Sequence, residues 1–154
     1  GVFSIITGMI GDRYMTWDQV RGLARAGMQV ASHTVHHVNV GEPPAPLTTQ
    51  EELLNSKQKL EAELGEPIQF FCYPAGEPFQ HDTLAERQVV LTELFNDEYL
   101  GAILDPTAFN SMIQNDLEPY EMPRIRVSGG ETLDDFTSIL TATLQQDQAR
   151  MRAR

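Results

Sequence analysis

Short apolar runs alternate along the chain with amphipathic stretches of helical period, a pattern that predicts an α/β fold with parallel strands. Val2–Thr7 reads as the first strand, followed by a turn from Gly8 to Gly11. Thr16-Trp17-Asp18-Gln19 has the form of a capping box, in which the Thr hydroxyl and the Gln amide satisfy amides at a helix start. The helix behind it carries Val20, Leu23 and Ala24 on one face, turns Arg21 and Arg25 to solvent, and stops at Gly27. Met28–Ala31 is a second strand, ending at Ser32-His33. The stretch Val38–Leu47 holds three prolines and a glycine and reads as a loop.

A second capping box is expected at Thr49-Gln50-Glu51-Glu52, opening a helix with Leu53, Leu60 and Leu64 on one face and closed by Gly65 and Pro67. Ile68–Tyr73 is a third strand, broken at Pro74-Ala75-Gly76. Thr83 to Phe95 favours helix, Tyr99–Leu104 a strand, and Arg124–Val127 another strand preceded by Pro123. The last helix starts at Thr132 and repeats Leu133, Phe136, Ile139, Leu140 and Leu144 at three- and four-residue spacing. Beyond Gln145 no apolar face continues, so residues 146–154 are expected to fray as a tail and residues 1–145 to form one domain.

Composition narrows the function classes. Hydrophobic residues at 41% and charged residues at 21% are ordinary globular usage, so collagen-like, coiled-coil and wholly disordered classes are set aside. With 11 basic against 22 acidic residues the net charge is −11, which repels a polyanion, so neither nucleic acid nor an anionic membrane surface is expected as partner. No run of about 18 apolar residues is present, so no membrane span is expected. The single cysteine, Cys72, rules out an intrachain disulfide framework and reads as a small buried hydrophobe. A full barrel of eight βα units takes about 250 residues, roughly 31 per unit, so a chain of 154 residues has room for about five. Either a small open α/β sheet or a barrel with units missing fits. The sequence opens on a strand without an initiator Met or a signal-peptide pattern, which leads us to expect a processed product or a fragment of a longer chain.

Candidate chemistry concentrates in Ser32-His33-Thr34-Val35-His36-His37, just past the C-terminal end of a predicted strand, where α/β folds build their sites. Three of the four histidines fall within five residues there. On a helical turn, His33 and His37 at i, i+4 would share one face, and two imidazole nitrogens could reach one divalent ion at about 2.0–2.1 Å. A polar loop whose histidines only hydrogen-bond or face solvent fits the bare spacing as well. His36 is expected to point elsewhere, to the surface or to support of the site.

The segment from Gly11 through Thr16-Trp17 to Ala31-Ser32-His33-Thr34 resembles the polysaccharide deacetylase family, the NodB-like carbohydrate esterases. His33, Thr34 and His37 match that family's His-(Ser/Thr)-x-x-His metal motif. Phe70-Phe71-Cys72-Tyr73-Pro74-Ala75-Gly76 resembles its substrate-groove motif, and Met122-Pro123-Arg124-Ile125-Arg126-Val127 its late Pro-Arg-Ile strand. The resemblance runs from Val2 to about Leu140. It implies a partial (β/α) barrel of the polysaccharide deacetylase type with the first βα unit missing. The implied activity is hydrolysis of N-acetyl groups on a polysaccharide of the poly-N-acetylglucosamine, chitin or peptidoglycan type, at an extracellular or cell-envelope location.

The resemblance further implies a zinc ion or another divalent metal on His33 and His37. It places the Tyr73-Pro74-Ala75 segment at the substrate and the oxyanion, where a backbone N–H of that turn would help hold the charge. Arg124 could orient a carboxylate through a bidentate contact, and a solvated strand-end Arg fits as well. The family's Thr-Phe-Asp-Asp-Gly segment, source of the base and third ligand, would precede Val2 and does not occur in the sequence, nor does its late Leu-x-His. His81 is a weak stand-in for the acid, and Asp82 or Asp105 the carboxylates that could stand in for the base. Asp134-Asp135 is expected to cap the last helix. A catalytically incomplete sugar-binding or interaction module is the alternative reading. The chain alone is expected to deacetylate negligibly, and to self-associate through the strand edge at Val2–Ile6.

Overall fold

A computed structural model describes residues 1–11, 13–79, 81–104, 119–124 and 130–152. Its strands are β1 (Val2–Ile5), β2 (Gln29–Ser32), β3 (Phe70–Cys72), β4 (Gly101–Leu104) and β5 (Met122–Pro123). They pair in parallel in the order β1-β2-β3-β4-β5. The helices are α1 (Trp17–Arg25), α2 (Ser56–Leu64), α3 (Leu84–Asn96) and α4 (Leu133–Arg152). The first three fill the crossovers between the first four strands. A strand order that never reverses is that of a barrel wall; a doubly wound sheet reverses at a switch point.

The local signals act as the sequence suggests. Thr16 accepts from the Gln19 N–H at 3.3 Å while Gln19 accepts from the Thr16 N–H at 2.8 Å, the reciprocal box that opens α1. Thr83 and Glu86 form the same box at α3. Asp135 accepts from the Thr132 N–H at 2.8 Å, the cap expected of it. The core joins Val20 of α1, Leu60 of α2, and Val90 and Leu94 of α3 to Val30, Phe71, Ala102 and Leu104 of the sheet. Burying a side chain of Leu or Phe size contributes about 1.5–3 kcal/mol.

Three expectations are corrected. The cap before α2 is Thr48, one residue earlier than expected: its hydroxyl accepts from the Glu51 N–H at 3.2 Å and donates to the Glu51 carboxylate at 2.9 Å. Thr49 instead donates to the Val40 carbonyl at 2.7 Å. Both threonines satisfy the same Thr-x-x-Glu pattern, and tertiary packing decides between them by drawing Glu52 inward. A π-helical turn, Glu51–Asn55, then leads into α2. Second, α4 runs on past Gln145 to Arg152, through residues read from the sequence as a tail. The tail has no Gly or Pro, and Gln, Ala, Arg and Met extend a nucleated helix without needing an apolar face. Third, the late strand is Met122–Pro123, before the expected Arg124–Val127. Residues 125–127 of that stretch lie outside the described residues, as does Asp105.

Buried side chains tie the layers together. The Tyr73 hydroxyl donates to the Tyr120 carbonyl (2.9 Å), the Tyr120 hydroxyl to the Tyr99 carbonyl (3.0 Å), and the Tyr99 hydroxyl to the Leu53 carbonyl (3.0 Å). Below, at the end of α3, Asp97 is buried and its Oδ2 has no hydrogen-bond partner among the described residues. Burial, aided by Glu93 and opposed by Lys57, pushes its carboxyl up to about 6 from the ordinary 3.8.

Two measurements check this packing. The folded Asp97 carboxyl holds its proton more tightly than the unfolded one, so its contribution to stability is full below about pH 3.8 and is lost as pH rises through about 6. Asp97→Asn is therefore expected to raise stability by about 1 kcal/mol at pH 8, with the gain shrinking toward pH 4; a pH-independent change in urea midpoint would contradict this. At Gly8, a Cβ would lie 2.5 Å from the Val35 carbonyl oxygen. Gly8→Ala is expected to cost about 1–3 kcal/mol in urea unfolding, because backbone must move to admit the methyl.

Candidate metal centre

The parallel sheet delivers its chemistry at the C-terminal strand ends. β2 stops at Ser32, and the next residue, His33, donates its N–H to the Ile5 carbonyl at 3.0 Å, one last bond to the β1 side. Its Nδ1 lies 2.6 Å from the Cys72 carbonyl oxygen at the end of β3. A carbonyl only accepts, so Nδ1 carries the proton and Nε2 presents its lone pair. The half-buried ring is pushed down to about 4 by desolvation, against the Cys72 hydrogen bond and with help from the charges of His37 and Arg124. It is a neutral imidazole at physiological pH, the form a metal takes.

The loop after His33 is not the helical turn expected from the spacing. Thr34 (φ 69°) and His37 (φ 60°) are both left-handed, and the loop folds back between them. That fold brings the His33 and His37 ring centroids to 4.9 Å at an interplanar angle of 70°. The two rings therefore meet without the helical turn. His37 is exposed, so the pair opens to solvent on one side.

Neighbours on both sides satisfy the loop's backbone. The Thr7 and Gly8 N–H groups donate to the Thr34 (3.1 Å) and Val35 (2.9 Å) carbonyls. The Glu52 carboxylate accepts from the N–H groups of Val35 (3.0 Å) and His36 (2.9 Å), and its other oxygen lies 2.5 Å from His36 Nδ1. The His37 N–H donates to the Thr34 hydroxyl at 2.8 Å. His36, as expected, turns away from the pair, and its partner is Glu52.

Other candidate residues separate into those near the pair and those elsewhere. Arg124 Nη1 approaches the Cys72 sulfur at 3.7 Å, and its charge acts on His33, so it stands beside the site. Cys72 is buried, as expected, and serves both through its carbonyl and its sulfur. Tyr73 is corrected: its ring is buried, edge-on to Phe71 and Phe79, and its N–H donates to the Ile103 carbonyl at 3.1 Å. Pro74 is buried and has no N–H. Neither therefore has an N–H to offer an oxyanion, while Ala75 is exposed and left-handed (φ 53°). His81 is exposed and its Nδ1 pairs with the Glu77 carboxylate. No hydrogen bond, ion pair or ring contact among the described residues joins it to His33 or His37. Asp82 accepts from the Asn39 amide at 2.9 and 3.0 Å.

Among the described residues, no group of three His, Cys, Asp or Glu side chains is placed to hold one metal ion. The donors present, two imidazoles, suit zinc or a similar divalent cation. From the sequence Glu52 reads as the last residue of the Thr49 capping box and not as part of the site. The signal was there in its spacing: Glu52, Ser56 and Leu60 fall four apart, which puts Glu52 in line with the buried face.

A family model described as polysaccharide deacetylase matches residues 1–92. Among solved structures, the chain is similar to a polysaccharide deacetylase from Bacillus cereus, with TM-score 0.68 and 23% identity over 89% of this chain and 40% of that one. It is similar to the Streptococcus pyogenes deacetylase PplD, solved in complex with acetate (TM-score 0.72, 20% identity, 89% and 57% of the two chains). It is also similar to IcaB from Ammonifex degensii (TM-score 0.58, 18% identity, 90% and 59%). At these identities the likeness shows the fold, and the chain spans roughly two fifths to three fifths of the length of those proteins. No curated protein sequence matches. With more than half of its residues matched by the family model, β1, β2, β3 and this loop among them, the chain belongs to the polysaccharide deacetylase family.

Proposed function

We propose that this chain carries the two-histidine part of a divalent metal site that serves hydrolysis of N-acetyl groups on a polysaccharide of the poly-N-acetylglucosamine, chitin or peptidoglycan type. The observation that carries the reading is the convergence of the His33 and His37 rings, 4.9 Å between centroids, at the C-terminal end of β2. Membership of the deacetylase family supports it. Such a substrate would put the protein at the cell envelope or outside the cell.

A bound divalent cation supplies Lewis acidity, which polarises an acetamide carbonyl and acidifies water for attack near neutral pH. The chain's own residues supply position. His33 offers Nε2 because its Nδ1–H is committed to Cys72, and exposed His37 faces the same side. In the Tyr73–Ala75 segment it is Ala75 that is exposed, on the side from which a substrate would approach. We take Arg124, whose charge acts on His33, as the group that would orient a carboxylate. We assign the third ligand and the base to a carboxylate pair of the Thr-Phe-Asp-Asp-Gly kind, as the resemblance to the deacetylase family implies.

Zinc titration by calorimetry is the direct check. One zinc per chain is expected, with affinity falling about tenfold or more in His33→Ala and in His37→Ala; unchanged affinity in either would remove that residue from the site. Acetate release from chito-oligosaccharides is expected to be negligible for the 154 residues alone. It is expected to be zinc-dependent in a polypeptide that extends them upstream through a Thr-Phe-Asp-Asp-Gly segment. Zinc binding with no acetate from the longer polypeptide would favour a sugar-binding module. The β1 edge, with Val2 48% and Phe3 39% exposed, supports self-association, which sedimentation velocity would register as a concentration-dependent shift.

A further inference from the structure

Three histidines lie in the loop after β2, yet only two of their rings meet. The third is held off by a side chain from another element. Glu52, in the π-helical turn before α2, is 1% exposed. Its Oε2 accepts from both the Val35 and His36 N–H groups, and its Oε1 takes the His36 ring at Nδ1. The Ser56 hydroxyl donates to the Glu52 carbonyl at 2.7 Å and lies 2.6 Å from the Ser32 hydroxyl, which ties the Glu52 backbone to the end of β2. The carboxylate thus fixes the peptide planes between the two left-handed residues, Thr34 and His37, from the side opposite Thr7 and Gly8.

We infer that Glu52 is a positioning residue that selects which histidines form the metal site: it sets the loop so that His33 and His37 converge, and it sequesters His36. The inference rests on the proposed metal-binding role of His33 and His37. Selection works through hydrogen-bond geometry. A glutamine can reproduce it, because its oxygen accepts both amides while its NH2 donates to the other tautomer of His36. Alanine cannot, and aspartate, shorter by one methylene, keeps the charge but falls back from the loop.

The test is imidazole NMR of the chain during zinc titration, in the wild type, Glu52→Gln, Glu52→Ala and the core control Leu60→Ala. In the wild type and Glu52→Gln, zinc is expected to move the His33 and His37 ring signals and leave those of His36. In Glu52→Ala, zinc affinity is expected to fall about 10–100-fold and the His36 signals to move. Leu60→Ala is expected to melt earlier yet keep the wild-type pattern. Glu52→Asp carries the same expectation as Glu52→Ala should the latter fail to fold. A wild-type histidine pattern and affinity in Glu52→Ala would overturn the inference. So would a glutamine variant as impaired as the alanine one, or an equal loss in Leu60→Ala.

Amide hydrogen exchange without metal separates this inference from the reading beneath it. The Val35 and His36 amides are expected to exchange at least about tenfold faster in Glu52→Ala than in Leu60→Ala, since only the former loses their acceptor. If zinc moves no histidine in the wild type, the metal reading fails on its own. Equal exchange in the two variants would refute the positioning role whatever zinc does.

Discussion

A strand paired on both sides has its backbone polar groups met by the ladder only while it stays in the sheet; past the last rung, each buried amide needs another acceptor. β2 reaches that point at His33. The Ile5 carbonyl takes the His33 N–H, and the loop beyond must turn sharply while remaining partly buried. Its solution is to hand the Val35 and His36 amides to one buried carboxylate, the His37 amide to the Thr34 hydroxyl, and the Thr34 and Val35 carbonyls to the loop after β1. Ring convergence at the site follows from this arrangement of backbone bonds.

Magnitudes show why the loop can hold an unfavourable shape. A left-handed conformation at a β-branched residue such as Thr34 costs about 1–3 kcal/mol. Hydrogen bonds to a charged acceptor contribute about 1.5–3 kcal/mol each, and Glu52 receives two from this loop. Burial of the carboxylate opposes that gain, and the His36 ring at its second oxygen is the third contact that offsets it. Strain at Thr34 is therefore sustained from outside the loop.

β3 supports the same centre from its other side. Cys72 offers its carbonyl to His33 and its sulfur to Arg124, so a residue with no reactive role orients one imidazole and touches the nearby cation. Tyr73 follows it into the core. Its hydroxyl begins the series of bonds that passes through Tyr120 and Tyr99 to the Leu53 carbonyl, in the turn that carries Glu52. The end of β3 and the Glu52 turn are thus parts of one packed unit, which is why a residue expected at a substrate groove serves the scaffold.

The sequence by itself determined the order of strands and helices, the Thr16 box, the glycine stop after α2, and the position of the histidine pair at a strand's C-terminal end. These depend on periodicity and local hydrogen bonding, which neighbouring residues specify. Family membership was legible in the same segments, because their order and spacing survive in the linear chain. What the sequence left open had long-range causes. Thr48 and Thr49 offer identical capping patterns, and the contacts of Glu52 with a loop 16 residues away and of Thr49 with the Val40 carbonyl choose between them. The spacing of His33 and His37 fits a helical turn, yet Thr7, Gly8 and Glu52 impose left-handed backbone instead. Tyr73 lies in a groove-like motif, but its orientation was settled by Phe71, Phe79 and the Tyr120 carbonyl. Tertiary structure decided these points because each turns on a hydrogen bond or packing contact between elements, whose energy no local pattern encodes.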